Sequence, residues 1–244
     1  MNDMFSYIKF LKKNGEKNMI KVFPSTNPSP EDTLLHYIKN LQKAGVEFVH
    51  CDVMDGIFVN NQCLDMPLLR EIAEKTTIGM DVHLMITEPM SNVQKYMELP
   101  ATYITTHYET YQNIQNIIKM SKYVRNNKKL MGISIKPTTP VERLFDILPL
   151  FDLVLIMSVE PGQSGQVFLE SSYEKIAKIR KEIDDRGLNL KIEVDGGINT
   201  KNMQKVVNAG ADILVMGNAM YIAQDREALV KEVRMMYRQR EKTE

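Results

Sequence analysis

From Ile20 to the end of the chain, short apolar segments alternate eight times with longer amphipathic stretches. That alternation constrains the fold most, because a strand followed by a crossover helix returns parallel to its predecessor. The strand candidates fall near residues 20–24, 46–52, 78–84, 102–107, 130–135, 152–158, 189–194 and 212–216. Each is rich in Val, Ile, Leu, Phe or Met and short enough for a buried parallel strand. Eight strand–helix units of about 25–30 residues are the arithmetic of a single-domain (β/α)8 barrel of the α/β class. A doubly wound open sheet shows a similar alternation. No Gly-x-Gly-x-x-Gly follows the first strand, however, and eight units suit closure better.

The intervening stretches carry helix signals. Within 30–43, Leu34, Leu35, Ile38 and Leu41 recur at three- and four-residue spacing, and Ala44-Gly45 follows as a glycine stop. Residues 171–183 are helix-like with Ser171 or Ser172 placed to cap the start, and 201–208 runs into Ala209-Gly210. The tail, 234–244, reads as a charged helix end with a solvated face. At the other end, 1–18 breaks its apolar residues with lysines and lacks the apolar core of a signal peptide. It reads as an N-terminal extension to a barrel domain spanning 19–244, in a soluble, cytoplasmic protein.

Composition narrows the function classes. Thirty-one basic residues balance 31 acidic ones, which leaves no bulk electrostatic case for nucleic acid or an anionic membrane. Hydrophobic residues at 43% suffice for a sizeable core, and no apolar run approaches the ~18 residues of a membrane span. Cys51 and Cys63, the two cysteines, cannot by themselves build a disulfide framework or a thiolate zinc site.

In such barrels the chemistry sits where strands end and loops begin. Three of the four histidines, His50, His83 and His107, lie at or near predicted strand ends, while His36 falls inside the first helix as an ordinary surface position. Alternate strand residues share a face, so His50, Asp52 and Met54 point one way, as do Asp81, His83 and Met85. The seventh strand ends at Asp195. If these sets face inward, two imidazoles and at least two carboxylates meet at the barrel mouth. That donor mixture suits zinc, iron(II), manganese or cobalt better than calcium or magnesium. The competing reading, polar strand ends satisfied by loop backbone, must account for three such ends at once. Gly196-Gly197 and Gly217-Asn218 follow the last two strands, where this architecture grips phosphate, and Pro161-Gly162-Gln163-Ser164-Gly165-Gln166 is long enough to fold over a ligand. Met54, Met85 and Met157 sit at strand ends as core filler or as a water-poor lining.

From about Ile20 to the last helix the chain resembles the ribulose-phosphate 3-epimerase family. The shared segments are Pro24-Ser25, HCDVMDGIFV (50–59), DVHLM (81–85), THYE (106–109), IKPTTP (135–140), MSVEPGQSGQ (157–166), EVDGGI (193–198) and AGADILVMG (209–217). The resemblance implies one divalent metal on His50, Asp52, His83 and Asp195. It also implies that Asp52 and Asp195 act as base and acid on opposite faces of a ketose phosphate, through an enediolate. Substrate contacts carry over to Ser25, His83, Met54, Met85, Met157, Gly162, Gln163, Ser164, Gly165, Gly196, Gly197, Gly217 and Asn218, and a homo-oligomer is implied as well.

Four departures lie around the sugar and phosphate. Asn60-Asn61 stands for Pro-Asn, Gln163-Ser164 for Phe-Gly, Thr26-Asn27-Pro28 for an apolar continuation, and Asn218 for Ser. The expected reaction is therefore D-ribulose 5-phosphate to D-xylulose 5-phosphate. A hexulose phosphate such as D-allulose 6-phosphate is the nearest alternative substrate. A non-catalytic sugar-phosphate-binding barrel, and a barrel that cleaves or decarboxylates its substrate, are the more distant readings.

Overall fold

The computed structural model describes residues 19–238. All eight expected strands are present: β1 (Lys21–Pro24), β2 (Phe48–Asp55), β4 (Gly79–Met85), β5 (Ala101–His107), β6 (Leu130–Ile135), β7 (Leu153–Met157), β8 (Lys191–Asp195) and β9 (Ile213–Met216). A short strand that the apolar pattern does not reveal, β3 (Gln62–Cys63), pairs antiparallel with the end of β2. It is two residues long and half-polar, so no periodicity marks it.

Along the sheet the order is β1-β9-β8-β7-β6-β5-β4-β2-β3. A parallel bridge between Ser25 and His50 joins the first strand to β2, and Thr26 N–H donates to the His50 carbonyl at 3.0 Å. These contacts close the sheet into the expected barrel.

Helices α1 (Glu31–Lys43), α2 (Met66–Lys75), α3 (Pro89–Tyr96), α4 (Ile114–Asn126), α5 (Ser172–Asp185), α6 (Met203–Ala209), the single-turn α7 (Asn218–Tyr221) and α8 (Arg226–Met235) connect the strands. A 3-10 segment, Val141–Leu150, with Pro149 inside it, takes the helix position between β6 and β7. The glycine stops hold: Gly45 and Gly210 both have positive φ, at 83° and 132°. Three details differ from the sequence reading. The Ser171 and Ser172 hydroxyls do not cap α5; Ser172 is buried and its N–H donates to Leu169 O at 2.9 Å. In α1 the buried stripe takes Tyr37 rather than the half-exposed Leu35, while His36 is exposed as expected.

The third difference concerns the tail. Two of its arginines are not simply solvated: Arg234 donates to Gly45 O at 2.8 Å, and Arg238 reaches Gly210 O at 3.0 Å and Asp212 at 3.1 Å. The extension 1–18 and residues 239–244 lie outside the described residues.

Strand alternation divides the interior into two surfaces. One set of side chains, including Val49, Cys51, Val53, Val82, Leu84, Ile133, Val154, Ile192 and Val194, packs outward under the helices. The other set fills the barrel. Near its floor Phe23, Phe48, Leu153, Leu155 and Ile213 pack together, with Tyr103 against them and the Phe23 and Phe48 rings 4.9 Å apart. Toward the mouth Met54, Val59 and Met85 form a separate apolar group. Between floor and mouth lies a polar layer that holds the buried titratable side chains His50, Asp52, Asp81, His83 and Glu193.

Candidate active site

Strand register assembles the polar layer. In the parallel β2–β4 pair, His50 faces Asp81, Asp52 faces His83 and Met54 faces Met85. On the far side, β7 and β8 set Leu155 against Glu193 and Met157 against Asp195. One residue of slip in either pair would turn these side chains toward the helices. His50 and His83 lie within their strands rather than at the ends, and both are fully buried.

His50 Nε2 is 3.2 Å from His83 Nδ1, 3.4 Å from Asp52 Oδ1 and 3.9 Å from Asp195 Oδ2. His83 Nδ1 is also 3.4 Å from Asp52 Oδ1. One ligand atom from each of His50, Asp52, His83 and Asp195 thus lies within 4.8 Å of every other. The orientation of the rings fits a cation. His50 turns its opposite nitrogen, Nδ1, to Asp81 Oδ2 at 2.6 Å, and His83 turns Nε2 to His107 Nε2 at 2.9 Å. Each imidazole therefore keeps one nitrogen free for a ligand bond while the other is anchored, the arrangement of metal-binding histidines. The residues present fit a divalent cation held by two nitrogens and two oxygens.

The two aspartates are set apart by their surroundings. Asp52 Oδ2 accepts from the Ser25 hydroxyl at 2.7 Å, which aims Oδ1 at the histidines. Burial works against the Asp52 charge, but His50 and His83 outweigh it and hold the carboxyl well below its usual range. Asp195 stands at the rim, the most exposed of the four, with its side chain 17% exposed. Burial and the Asp52 charge push its carboxyl up to about 7. His50 is buried, which disfavours its cation, yet Asp52 and Asp81 overcome that and raise it well above an ordinary histidine. Burial pushes His83 down to about 4.

Above the polar layer opens a cavity of about 280 Å³. Ser25, Asp52, Met54, Met85, Met157, Gly162, Gln163, Ser164, Gly165, Asp195, Gly196, Gly197, Gly217 and Asn218 all line it. The sequence-predicted substrate residues are thus brought to one cavity, except His83, whose ring lies beneath the floor. The loop turns are tight. A Cβ on Gly196 would meet Val159 at 2.5 Å, and Gly197, at φ 65°, lies against the Phe168 backbone. The loop over the cavity is tied to the β2–β3 hairpin, where Asn61 Nδ2 donates to Gly162 O at 2.6 Å.

Two groups of polar residues escaped the sequence reading. Glu193, fully buried, lies 3.5 Å from His50 Nδ1. Burial and neighbouring Asp81 push its carboxyl well above the usual range. Its spacing two residues before Asp195 was the available signal, since both must share a pleat face. His107 and Glu109 form the second group, joined by a 3.2 Å contact between Nδ1 and Oε2. The sequence places this histidine at its strand end and gives it no role.

Comparison with known proteins follows the same lines. The profile of the ribulose-phosphate 3-epimerase family matches residues 21–221. A ribulose-phosphate 3-epimerase of Mycobacterium tuberculosis strain H37Rv is 40% identical over 190 residues, 78% of this chain and 82% of that protein. Its Bacillus subtilis counterpart is 35% identical over 217 residues, 88% of this chain and 99% of that protein. Among solved structures, 3-hexulose-6-phosphate synthase of Salmonella typhimurium superposes with a TM-score of 0.62 at 14% identity, covering 88% of this chain and 96% of the other. N-acetylmannosamine-6-phosphate 2-epimerase of Clostridium perfringens gives a TM-score of 0.60 at 14% identity, covering 92% and 97%. Those structural likenesses establish the barrel, and the sequence matches go further. The chain belongs to the ribulose-phosphate 3-epimerase family and is an enzyme of the isomerase class.

Proposed function

We propose that the protein interconverts D-ribulose 5-phosphate and D-xylulose 5-phosphate by removing the C3 proton from one face and returning a proton to the other. The observation that carries this reading is the opposed character of Asp52 and Asp195 across one cavity floor. The two imidazoles draw Asp52 toward its anion, while burial and the Asp52 charge draw Asp195 toward its protonated form. Two carboxyl groups driven apart in this way are what a two-base proton transfer needs at its start.

In the forward direction Asp52 takes the C3 proton and Asp195 supplies one from the opposite side; the reverse direction exchanges the roles. The Ser25 hydroxyl holds Asp52 with Oδ1 toward His50 and His83. His50, Asp52, His83 and Asp195 would hold one divalent cation, zinc, iron(II), manganese or cobalt. Such an ion supplies Lewis-acid stabilisation of the negative charge that develops on the substrate oxygens as C3 loses its proton. Met54, Met85 and Met157 line the cavity with apolar surface that limits water around the enediolate. Gly162, Gln163, Ser164 and Gly165, together with Gly196, Gly197, Gly217 and Asn218, line the same cavity and would contact the phosphate end of the substrate.

A cytoplasmic location and a homo-oligomeric state belong to the same proposal. Among the described residues no helix is long and apolar enough to cross a membrane. Turnover of ribulose 5-phosphate compared with allulose 6-phosphate on metal-loaded protein tests the substrate. Preference for the pentulose is expected. Preference for the hexulose would move the reading to the six-carbon substrate with the same chemistry, and turnover of neither would reject it.

A further inference from the structure

We infer that His107, anchored by Glu109, is a positioning residue that fixes the ring of His83 as an Nδ1 donor to the cation. The inference rests on the reading that His50, Asp52, His83 and Asp195 hold a metal.

His107 is the last residue of β5 and is fully buried. The strand register sets Thr105 opposite His83, so His107, two residues further on, shares its inward face one step nearer the mouth. The His83 and His107 ring centroids are 5.0 Å apart, whereas their Nε2 atoms are 2.9 Å apart, so the rings meet edge to edge through nitrogen. One of the two nitrogens must donate. With a cation on His83 Nδ1, the His83 proton resides on Nε2 and points at His107. His107 then accepts through Nε2 and carries its own proton on Nδ1, which points at Glu109 Oε2, 3.2 Å away. A single choice of tautomers therefore satisfies every nitrogen in the row.

Glu109 is itself fixed. Its Oε1 accepts from the Lys136 backbone N–H at 2.8 Å and from the Thr139 hydroxyl. Burial opposes its charge, but His107, Thr139 and Lys136 outweigh it and lower the carboxyl to about 2. Phe58, from the loop after β2, covers His107 with ring centroids 4.6 Å apart, and the Lys136 ammonium lies 4.2 Å over the Phe58 ring. The row His83–His107–Glu109 is thus sealed at its outer end and anchored to the loop after β6.

The partner histidine shows the simpler version of the same device, since His50 donates directly to Asp81. The two ligand rings are therefore treated unequally. His50 meets a carboxylate at once, whereas His83 meets a carboxylate only through an intervening neutral imidazole. Outer partners of this kind fix the tautomer and raise the basicity of the ligand nitrogen, and their loss costs about 10–100-fold in metal affinity.

The test uses the full-length protein stripped of metal and titrated with Co(II) alone, read by visible absorption and by chelator competition. His107→Leu fills much of the ring's space without an acceptor and is expected to weaken Co(II) binding by about 10–100-fold and to alter the visible bands. His107→Gln, whose amide oxygen accepts from His83 and whose amide N–H can reach Glu109, is expected to recover most of the affinity. A role in packing alone predicts the opposite order, with the apolar variant the better of the two. Co(II) affinity and bands unchanged in folded His107→Leu would overturn the inference. If that variant does not fold, His107→Gln and Glu109→Gln decide: affinity and bands altered in Glu109→Gln but retained in His107→Gln support it, and any other result, including wild-type behaviour in both, overturns it. Failure of the unsubstituted protein to bind Co(II) overturns the metal site and this inference together, and is told apart by that control.

Discussion

Asp52 and Asp195 present carboxylate oxygens within 4.8 Å of one another, yet their surroundings drive them in opposite directions. Asp52 is surrounded by two imidazoles and a serine hydroxyl that favour its anion. Asp195 faces the negative charge of Asp52 from a largely enclosed position at the rim that disfavours a second anion. The difference arises from register. Asp52 lies in the buried run of β2, between β1 and β4, whereas Asp195 is the last residue of β8.

If Asp195 is the acid partner, Asp195→Asn removes a transferable proton while keeping the side chain's shape. Turnover is expected to fall by about 10²–10⁴-fold, the usual contribution of a positioned acid or base. Steady-state kinetics with a circular dichroism check on the fold measures this. Near-normal turnover in the folded variant contradicts the assignment.

The same residue carries a stability cost. Its carboxyl is pushed up to about 7 in the folded chain from an ordinary value of 3.8. Folding therefore favours the protonated form: the stabilisation is full below pH 3.8 and is lost as pH rises through about 7. Metal-free protein should melt lower at pH 8 than at pH 6. Asp195→Asn should shrink that difference and raise the pH 8 Tm by a few degrees. Thermal melts in chelator at the two pH values check it, and an undiminished pH difference in the variant would count against the perturbed carboxyl.

Ser25→Ala leaves Asp52 Oδ2 without its 2.7 Å partner. A hydrogen bond to a charged group is worth about 1.5–3 kcal/mol, so kcat/KM should fall by roughly 10–100-fold through loss of aim at Oδ1. Most of the loss should appear in kcat. An unchanged kcat would place Ser25 among groups that merely line the cavity.

Gly197→Ala tests the loop after β8. The position has φ 65°, and an added Cβ would run into the Phe168 backbone rather than a movable side chain. Destabilisation of about 1–3 kcal/mol is expected from the strained backbone, together with a raised KM for the sugar phosphate. Denaturant unfolding and a substrate titration measure the two effects, and a variant with both values unchanged would show that the turn has room to relax.

Much of this architecture is legible in the amino-acid sequence. The eight apolar segments located the barrel strands to within a few residues, because a strand buried on both faces has little choice but to be apolar. His-x-Asp at 50–52 and Asp-x-His at 81–83 announced a common inward face, since side chains two apart on a strand cannot avoid sharing one. What stayed hidden depends on contacts between distant segments. Nothing local shows that His107 Nε2 abuts His83, or that the Lys136 backbone and Thr139 hold Glu109. Those partners lie about a strand–helix unit apart and meet only through barrel closure and register. The Ser172 cap failed for a related reason: burial of that serine, which propensity does not register, left its backbone bonded to Leu169. The arginines of the tail also look like ordinary surface charge until Gly45 and Asp212 are brought beside them.

The most direct measurement is proton NMR of the metal-loaded protein in D₂O with D-ribulose 5-phosphate. Loss of the C3 proton signal is expected at the rate at which xylulose 5-phosphate appears, with product formation in Asp195→Asn slowed by about 10²–10⁴-fold while Asp52 still exchanges the C3 proton. A folded, metal-bearing sample that leaves the C3 signal intact would contradict it.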